Sequence, residues 1–309
     1  MPEKPSASKE RTIHQWKVGP SVFQGLPEAG ARLMDWNWNH RPIIHWPQEA
    51  NLDQVARVRG GNPILFPFCA RTYEAGELGF WRHEDGVRRP MPMHGFARQG
   101  RFRVLQLGEA GFEAQLLPTP EDRLAYPFNY DFRVNYQFRP DGLDVRLSLR
   151  NLGPSPIPWS AGHHFYFAIP WRPEGARADY ELQAPCRAWA KQSTDGSLEQ
   201  QPARGRTASL SDPNLIERIH LGPETAFLRD RVDGSALRME MFRTPPGDGR
   251  EEALVAWTEN ETSPFYCVEP WMGPPNAPGH QKGLDRVPTG ETHHFGVSLT
   301  WISAEDHGQ

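Results

Sequence analysis

The chain has 309 residues, of which 38 % are hydrophobic, and its 34 basic and 38 acidic side chains give a net charge of −4. This length suffices for one large domain or two ordinary ones, and the balanced charge gives no indication of a nucleic-acid or anionic-membrane partner. No apolar run approaches the roughly 20 residues that a membrane-spanning helix needs. The 31 prolines and 28 glycines suit many strands joined by turns.

The polar start of the chain predicts a loose tail over residues 1–12, followed by one domain over residues 13–305. Residues 1–10 lack the apolar core of a signal peptide. The three cysteines, Cys69, Cys186 and Cys267, form no C-x-x-C pair, and their odd number argues against a disulfide framework. We therefore expect a cytoplasmic protein with reduced, mostly buried thiols.

Two turns in the first third of the chain carry candidate binding residues. Arg59 precedes Gly60 and Gly61, and an apolar run that predicts a strand follows. Arg59 is either a solvated charge or a residue at the mouth of a cleft. Further on, prolines and a His-Gly pair predict a loop that presents His94, with Arg98 four residues later. A lone histidine is usually structural, but one beside an arginine suits an anionic or polyhydroxyl ligand.

The middle of the chain shows the strongest local pattern. Apolar and polar residues alternate over residues 132–139 and again over 143–150, with Pro140, Asp141 and Gly142 between them, which predicts a tight β-hairpin. A second hairpin is predicted around residues 108–111. Weaker patterns predict further strands at residues 180–183, 226–232, 237–242, 253–257 and 295–301. No helical period extends over four turns, so we expect a single all-β domain.

His163 and His164 are neighbours on a predicted strand that runs to residue 169. Because strand side chains alternate, the two histidines face opposite sides, and only one can enter a given cleft. No cysteine or carboxylate stands at ligand spacing from this pair or from His293 and His294. The sequence therefore predicts no metal site.

Glu269 ends an apolar run, residues 265–269, that is followed at once by Pro270 and Trp271. This predicts a buried strand with a carboxylate at its end, on the same face as Phe265 and Cys267. A carboxylate in apolar surroundings has a raised pKa and can serve as a general base. The alternative is a glutamate that caps a loop.

In combination these motifs resemble the aldose 1-epimerase (galactose mutarotase-like) family, and most of all its glucose-6-phosphate 1-epimerase-like branch. They run in family order from Arg59 to Trp301, and each is weak alone. The matching segments are Arg59-Gly60-Gly61-Asn62-Pro63, His94-Gly95-Phe96-Ala97-Arg98, Gly162-His163-His164-Phe165-Tyr166-Phe167, Cys267-Val268-Glu269-Pro270-Trp271 and Pro288-Thr289-Gly290-Glu291.

The resemblance implies a β-supersandwich of two large antiparallel sheets, with a sugar cleft and no cofactor. It implies Glu269 as catalytic base and His164, rather than His163, as catalytic acid. It also implies a set of substrate-binding residues, namely His94, Arg98, Arg59, Trp271 and Glu217. Asp212 competes with Glu217 for the family's further acidic position, and Phe102 stands where relatives with the Arg98 motif usually carry tryptophan.

Three functions remain open from the sequence. The first is an isomerase, an aldose 1-epimerase (mutarotase) that interconverts the anomers of a free hexose. The second is a hexose-6-phosphate 1-epimerase, in which Arg59 and Arg98 hold the phosphate. The third is a carbohydrate-binding protein without activity, which the presence of both Glu269 and His164 disfavours. No protein partner is implied, and the sequence does not identify the sugar.

Overall fold

The computed structural model describes residues 11–203, 205–223, 225–246 and 251–304, and the polar segment 1–10 lies outside this part of the chain. The described residues form mostly short strands. In chain order these are β1 (His14–Val18), β2 (Ser21–Leu26), β3 (Arg32–Trp38), β4 (Arg41–Ile44), β5 (Ile64–Leu65), β6 (Tyr73–Glu74), β7 (Glu77–Leu78), β8 (Phe80–Arg82), β9 (Arg88–Pro90), β10 (Arg101–Gly108), β11 (Gly111–Leu117), β12 (Tyr130–Arg139), β13 (Gly142–Asn151), β14 (Ile157–Trp159), β15 (Gly162–His163), β16 (Phe165–Ala168), β17 (Tyr180–Gln183), β18 (Ala188–Gln192), β19 (Leu198–Pro202), β20 (Thr207–Ser209), β21 (Arg218–Leu221), β22 (Ala226–Asp230), β23 (Ala236–Thr244), β24 (Ala253–Trp257), β25 (Phe265–Trp271), β26 (Asp285–Val287) and β27 (Thr292–Ile302).

Helices are few and short. The α-helices are α1 (Pro120–Ala125) and α2 (Ala277–His280), and single 3-10 turns occur at Leu52–Arg57, Ala97–Gln99, Arg177–Asp179 and Pro213–Leu215. Among the described residues, none of these helices has the length and apolar character required to cross a bilayer.

Two large antiparallel sheets make up the architecture, which is the predicted β-supersandwich. The first, here called the cleft sheet, has the order β1-β2-β3-β4-β16-β25-β24-β21-β18-β19, with β15 and β5 paired beside β25. The second sheet has the order β10-β11-β12-β13-β27-β23-β22-β17-β20. Neighbours in each sheet are often distant in the chain, so the cleft sheet brings together residues from widely separated segments.

The predicted hairpins are confirmed in position and register. β10 and β11 close at Gly108 and Gly111, and β12 and β13 close at Arg139 and Gly142. The strands expected at 180–183 and 253–257 have the predicted bounds, whereas β22 is shorter and β23 longer than expected. Alternation predicts strands well because each buries one face, but it fixes their ends less firmly.

The core lies between the two sheets. Phe23 of the cleft sheet stacks on Phe138 of the second sheet at 4.2 Å, and Phe66 stacks on Phe132 at 3.9 Å. Each such buried ring contributes on the order of 1.5–3 kcal/mol through removal of its surface from water. All three cysteines are free, with Cys69 and Cys267 buried and Cys186 half-buried, as predicted.

Candidate active site

The strand register of the cleft sheet places His164 opposite Glu269. Gly162 pairs with Trp271, and Phe165 pairs with Val268, so the residue between β15 and β16 faces the carboxylate on β25. Nε2 of His164 lies 3.5 Å from Oε2 of Glu269, and these side chains are 12 % and 3 % exposed. The prediction that the two adjacent histidines face opposite sides is confirmed, because His163 stacks on Phe165 and Phe295 in the core.

Asn62 holds the histidine segment from behind. Its Oδ1 accepts a hydrogen bond from the backbone N–H of His164 at 3.0 Å. Its Nδ2 donates to the hydroxyl of Tyr136 at 2.7 Å and lies 3.1 Å from Nδ1 of His163. Asn62 is fully buried, and both polar atoms of its side chain have partners. It therefore holds the backbone of His164 in place. The sequence alone did not reveal this role, although Asn62 lies within the Gly-Gly-Asn-Pro motif.

His94 is presented by a turn, as predicted, and its backbone is left-handed with φ +67°. The following Gly95 is required there, because a Cβ on it would stand 2.0 Å from the carbonyl oxygen of Phe66. Nδ1 of His94 accepts the N–H of Ala70 at 3.1 Å, so in the neutral ring the proton is on Nε2. Its ring centroid lies 5.4 Å from that of His164, which makes His94 a hydrogen-bond donor beside the pair.

Burial determines the charge state of these groups. It raises the pKa of Glu269 well above 4.5, as the sequence predicts. Burial, with the nearby His94, Arg32 and Arg98, holds the pKa of His164 well below 6.5. Burial, with the charges of Arg98 and Arg71, lowers the pKa of His94 to about 3. In the free site the proton shared by the pair therefore resides on Glu269, rather than on His164 as a ready-made imidazolium.

Two guanidinium groups lie behind the pair. Arg32 is fully buried, and its two terminal nitrogens each donate at 2.8 Å to the carbonyls of Gly60 and Val55, which holds the segment that carries Arg59. Nε of Arg98 is buried without a protein hydrogen-bond partner. The charge of Arg98 acts on both His94 and His164. It therefore also acts on a polar ligand that is bound at His164 and Glu269.

Arg59 lies farther out than the other predicted binding residues. It is 48 % exposed, forms an ion pair with Glu259 at 2.9 Å, and lies over the ring of Trp257 at 5.3 Å. Its charge is therefore partly neutralised, which the sequence did not reveal because Glu259 is 200 residues away. Arg59 stands at the rim of the site rather than inside it.

The two competing acidic residues occupy different positions. Asp212 caps the 3-10 turn that follows it, accepting the N–H of Asn214 at 2.9 Å, and forms an ion pair with Arg218 at 3.4 Å. It therefore has a local structural role. Glu217 is exposed, has φ +61°, and donates its N–H to the carbonyl of Ala256 at 2.8 Å. This places its backbone beside β24, across that strand from β25.

Trp271, which the resemblance implies as a substrate-binding residue, is buried rather than open to the cleft. It is 3 % exposed and packs in a cluster with Leu65 and Cys69. Its Nε1 donates to the carbonyl of His163 at 3.2 Å. Trp271 is buried because it lies two residues beyond Glu269 on β25, where the loop that follows β5 covers it. The ring stacked on His164 is instead Tyr166, at 4.7 Å and nearly parallel.

The sequence shows no metal ligands at ligand spacing, but the fold brings one set of potential ligand atoms together. Potential ligand atoms of His164, Cys267 and Glu269 all lie within 4.8 Å of one another. Sequence spacing could not show this, because β25 and the histidine segment are about a hundred residues apart. A second feature that the sequence analysis missed is Arg71, whose charge acts on His94 from the turn after Cys69.

Comparisons with known proteins identify relatives of this chain and of its fold. Protein LacX (chromosomal) of Lactococcus lactis subsp. lactis is 25 % identical over 234 residues, which cover 69 % of this chain and 74 % of that protein. The solved structure of a galactose mutarotase related enzyme from Lactobacillus acidophilus superposes with a TM-score of 0.78 at 18 % identity, covering 95 % of this chain and 98 % of the other. Slr1438 protein from Synechocystis sp. PCC 6803 gives a TM-score of 0.77 at 21 % identity over 98 % and 100 %.

At these identities the two solved structures show the fold alone. The family itself is shown by its sequence profile, which is described as aldose 1-epimerase and matches residues 25–298, including every residue of the site described above. The chain therefore belongs to the aldose 1-epimerase family.

Proposed function

We propose that the protein is a mutarotase, an isomerase that interconverts the α and β anomers of a hexose. The observation that carries the proposal is the 3.5 Å separation between Nε2 of His164 and Oε2 of Glu269. An anomeric carbon bears two oxygens, the hydroxyl and the ring oxygen, and both lie within two bond lengths of each other. Two proton-transfer groups at this separation can reach both oxygens at once, as ring opening requires.

The reaction needs one proton removed and one added. Glu269 takes the proton of the anomeric hydroxyl, while His164 donates a proton to the ring oxygen as the bond from that oxygen to the anomeric carbon breaks. Rotation about the neighbouring carbon–carbon bond and reversal of the two transfers give the other anomer. His164 and Glu269 together hold one proton throughout the reaction. When sugar hydroxyl groups replace water, this proton moves from Glu269 to His164, and the site is then ready for ring opening.

The surrounding residues suit a polyhydroxyl ligand. Neutral His94 offers its Nε2–H, and the unpartnered Nε of Arg98 offers a charged donor. Glu217, exposed just before β21, keeps the binding role implied by the resemblance as a proposal. Trp271 acts instead as a support for His94, whose ring centroid lies 6.0 Å from its own. A binding protein without activity is disfavoured. Oε2 of Glu269 is buried without a hydrogen-bond partner among the described residues, which costs free energy, and sugar binding alone does not require a carboxyl group placed in this way.

The direct test compares Glu269→Gln and His164→Asn with the wild type. Each change should lower the rate of anomerisation by roughly two to four decades, because each removes one proton-transfer group. Polarimetry corrected for spontaneous mutarotation measures this rate. Glu240→Gln, an exposed carboxylate on the second sheet that pairs with Arg238, is the matched control and should retain full activity. A folded Glu269→Gln protein with near-normal activity would overturn the assignment.

A hexose 6-phosphate is the second candidate substrate, and one cavity favours it. Arg98 lines a cavity of about 370 Å³ whose other walls are formed by Gln99, residues 53–57 and Arg11, so that Arg57 also faces it. Arg11 forms an ion pair with Asp53 at 3.9 Å, so Arg57 and Arg98 are the two arginines of this cavity that suit a phosphate dianion. Arg59, in contrast, already has Glu259 as partner. The phosphate would then be held by Arg98 with Arg57, and less by Arg59 than the sequence predicts.

The two substrates are distinguished by measuring KM for glucose and for glucose 6-phosphate. Arg98→Ala should raise KM for the phosphate ester at least about tenfold, because a charged hydrogen bond contributes ~1.5–3 kcal/mol, and should affect the free hexose much less. Arg59→Ala is the comparison variant and should have the smaller effect. Equal losses for both sugars would mean that Arg98 contacts the ring or supports His94.

A further inference from the structure

Cys267 lies beside the catalytic pair but has no part in the proposed reaction. It stands two residues before Glu269 on β25 and opposite Tyr166 on β16, so its side chain shares the face of the carboxylate. Its thiol is fully buried, and this burial raises its pKa. The charge of Arg59 acts in the opposite direction. The thiol is thus protonated in the free site.

The three side chains offer a nitrogen, a sulfur and an oxygen to one point. Their ligand atoms lie within 4.8 Å of one another, and the His164–Glu269 edge measures 3.5 Å. Tetrahedral zinc with bond lengths of 2.0–2.3 Å separates its ligands by about 3.3–3.7 Å. The His–Glu edge already has this length, and the thiol needs a shift of about 1 Å to complete the third corner.

A second observation also points to a ligand at this place. Oε2 of Glu269 and Nδ1 of His164 are both buried without a hydrogen-bond partner among the described residues, and Glu269 is 3 % exposed. Buried polar atoms are ordinarily satisfied. The sugar accounts for Oε2 during turnover, and in the free protein this oxygen remains available to a cation; Nδ1 of His164 points away from it, because Nε2 is the nitrogen nearer to Oε2.

We propose that His164, Cys267 and Glu269 form an inhibitory site for a thiophilic divalent cation, for which Zn²⁺ is the probe. The mixed nitrogen, sulfur and oxygen set is typical of zinc, whereas Mg²⁺ and Ca²⁺ prefer oxygen ligands alone. Binding displaces the protons of the thiol and the carboxyl group to solvent and forms three metal–ligand bonds, with the fourth position open to water. The bound ion occupies the proton-transfer atoms, so it excludes catalysis while it is bound.

Metal binding is measured first, because this readout does not depend on the proposed function. Calorimetric titration of the whole protein should show one Zn²⁺ bound per chain and no binding of Mg²⁺. Co²⁺ in place of Zn²⁺ should give thiolate-to-metal charge-transfer absorption. Cys267→Ser should weaken Zn²⁺ binding at least about tenfold and abolish this absorption, as expected for loss of a direct ligand. Cys186→Ser, which removes a half-buried thiol outside the cluster, is the matched control and should bind as the wild type does.

Inhibition is measured second, and this part rests on the proposed mutarotase activity. Zn²⁺ should inhibit competitively with the sugar, and EDTA should restore the rate. The Zn²⁺ concentration for half-inhibition should be at least about tenfold higher in Cys267→Ser than in the wild type, with the rate of each protein expressed relative to its own rate without metal. Cys267→Ala repeats the test if the serine variant folds poorly. Wild-type protein that binds no Zn²⁺, or Zn²⁺ binding without thiolate absorption from Co²⁺, would overturn the site. A protein that binds Zn²⁺ but anomerises no sugar would refute the proposed function and leave the metal site standing.

Discussion

Asn62 offers the sharpest test of how the site is held together. Replacing it with alanine removes the acceptor of the His164 N–H and the amide group next to Nδ1 of His163. Both partners are buried, and each unsatisfied group costs ~1–3 kcal/mol, so Asn62→Ala should lower the free energy of unfolding by about 2–6 kcal/mol. The backbone that carries His164 also loses its anchor, and a displacement of about 1 Å in such a group can cost about 100-fold in rate.

Tyr136→Phe separates stability from catalysis. It removes the hydroxyl that accepts from Nδ2 of Asn62 at 2.7 Å but leaves the bond between Asn62 and His164. We expect a loss of ~1–3 kcal/mol in stability with kcat unchanged, whereas Asn62→Ala should lower kcat at least about tenfold with a smaller change in KM.

Urea unfolding and polarimetry on the same preparations measure the two effects. Asn129→Ala, which removes an exposed amide that donates to the carbonyl of Leu152 at 3.2 Å, is the matched control. If Asn62→Ala and Tyr136→Phe reduced kcat equally, Asn62 would be a packing residue of the core and not a positioning residue of the site.

The remaining predictions concern metal and pH. Dialysis of the wild-type protein against EDTA should leave activity unchanged or raise it, because the proposed reaction uses only His164 and Glu269; activity that is lost and then restored by a divalent ion would contradict this. Stability should fall as pH decreases from about 6.5 toward 4.5, because the unfolded chain takes up protons on histidines whose pKa burial depresses in the folded state. Among them are His94 and His163, each with a pKa of about 3, His220, with a pKa of about 4, and His164. Asp35, whose pKa burial raises to about 6, and Glu269 act in the opposite sense, since a raised carboxyl pKa stabilises the protein as pH falls. The net slope in urea unfolding should be on the order of 1–3 kcal/mol per pH unit, and stability that stayed constant or rose as pH fell would contradict the expected excess of the histidine effect over that of the two carboxyl groups.

Much of the fold follows from local patterns that the sequence contains by itself. The alternation over residues 132–139 and 143–150 determined β12 and β13 and their turn, because strand side chains point to opposite faces and only one face is buried here. The same rule established that His163 and His164 face opposite sides. The apolar run before Glu269 predicted a buried carboxyl group with a raised pKa, and burial does raise it.

Only the tertiary structure decided what surrounds those residues, because the contacts join segments that are far apart in the chain. Cys267 became a neighbour of His164 through the pairing of β16 with β25, and Glu259 reached Arg59 across a separation of 200 residues. Asn62 gained its role from the backbone N–H of His164, about a hundred residues later in the chain. Trp271 is buried because it packs against Leu65 and Cys69, from a segment about 200 residues earlier in the chain. Local pattern determines which face of a strand a side chain occupies, whereas its partner, its burial and its charge depend on which strands lie next to it.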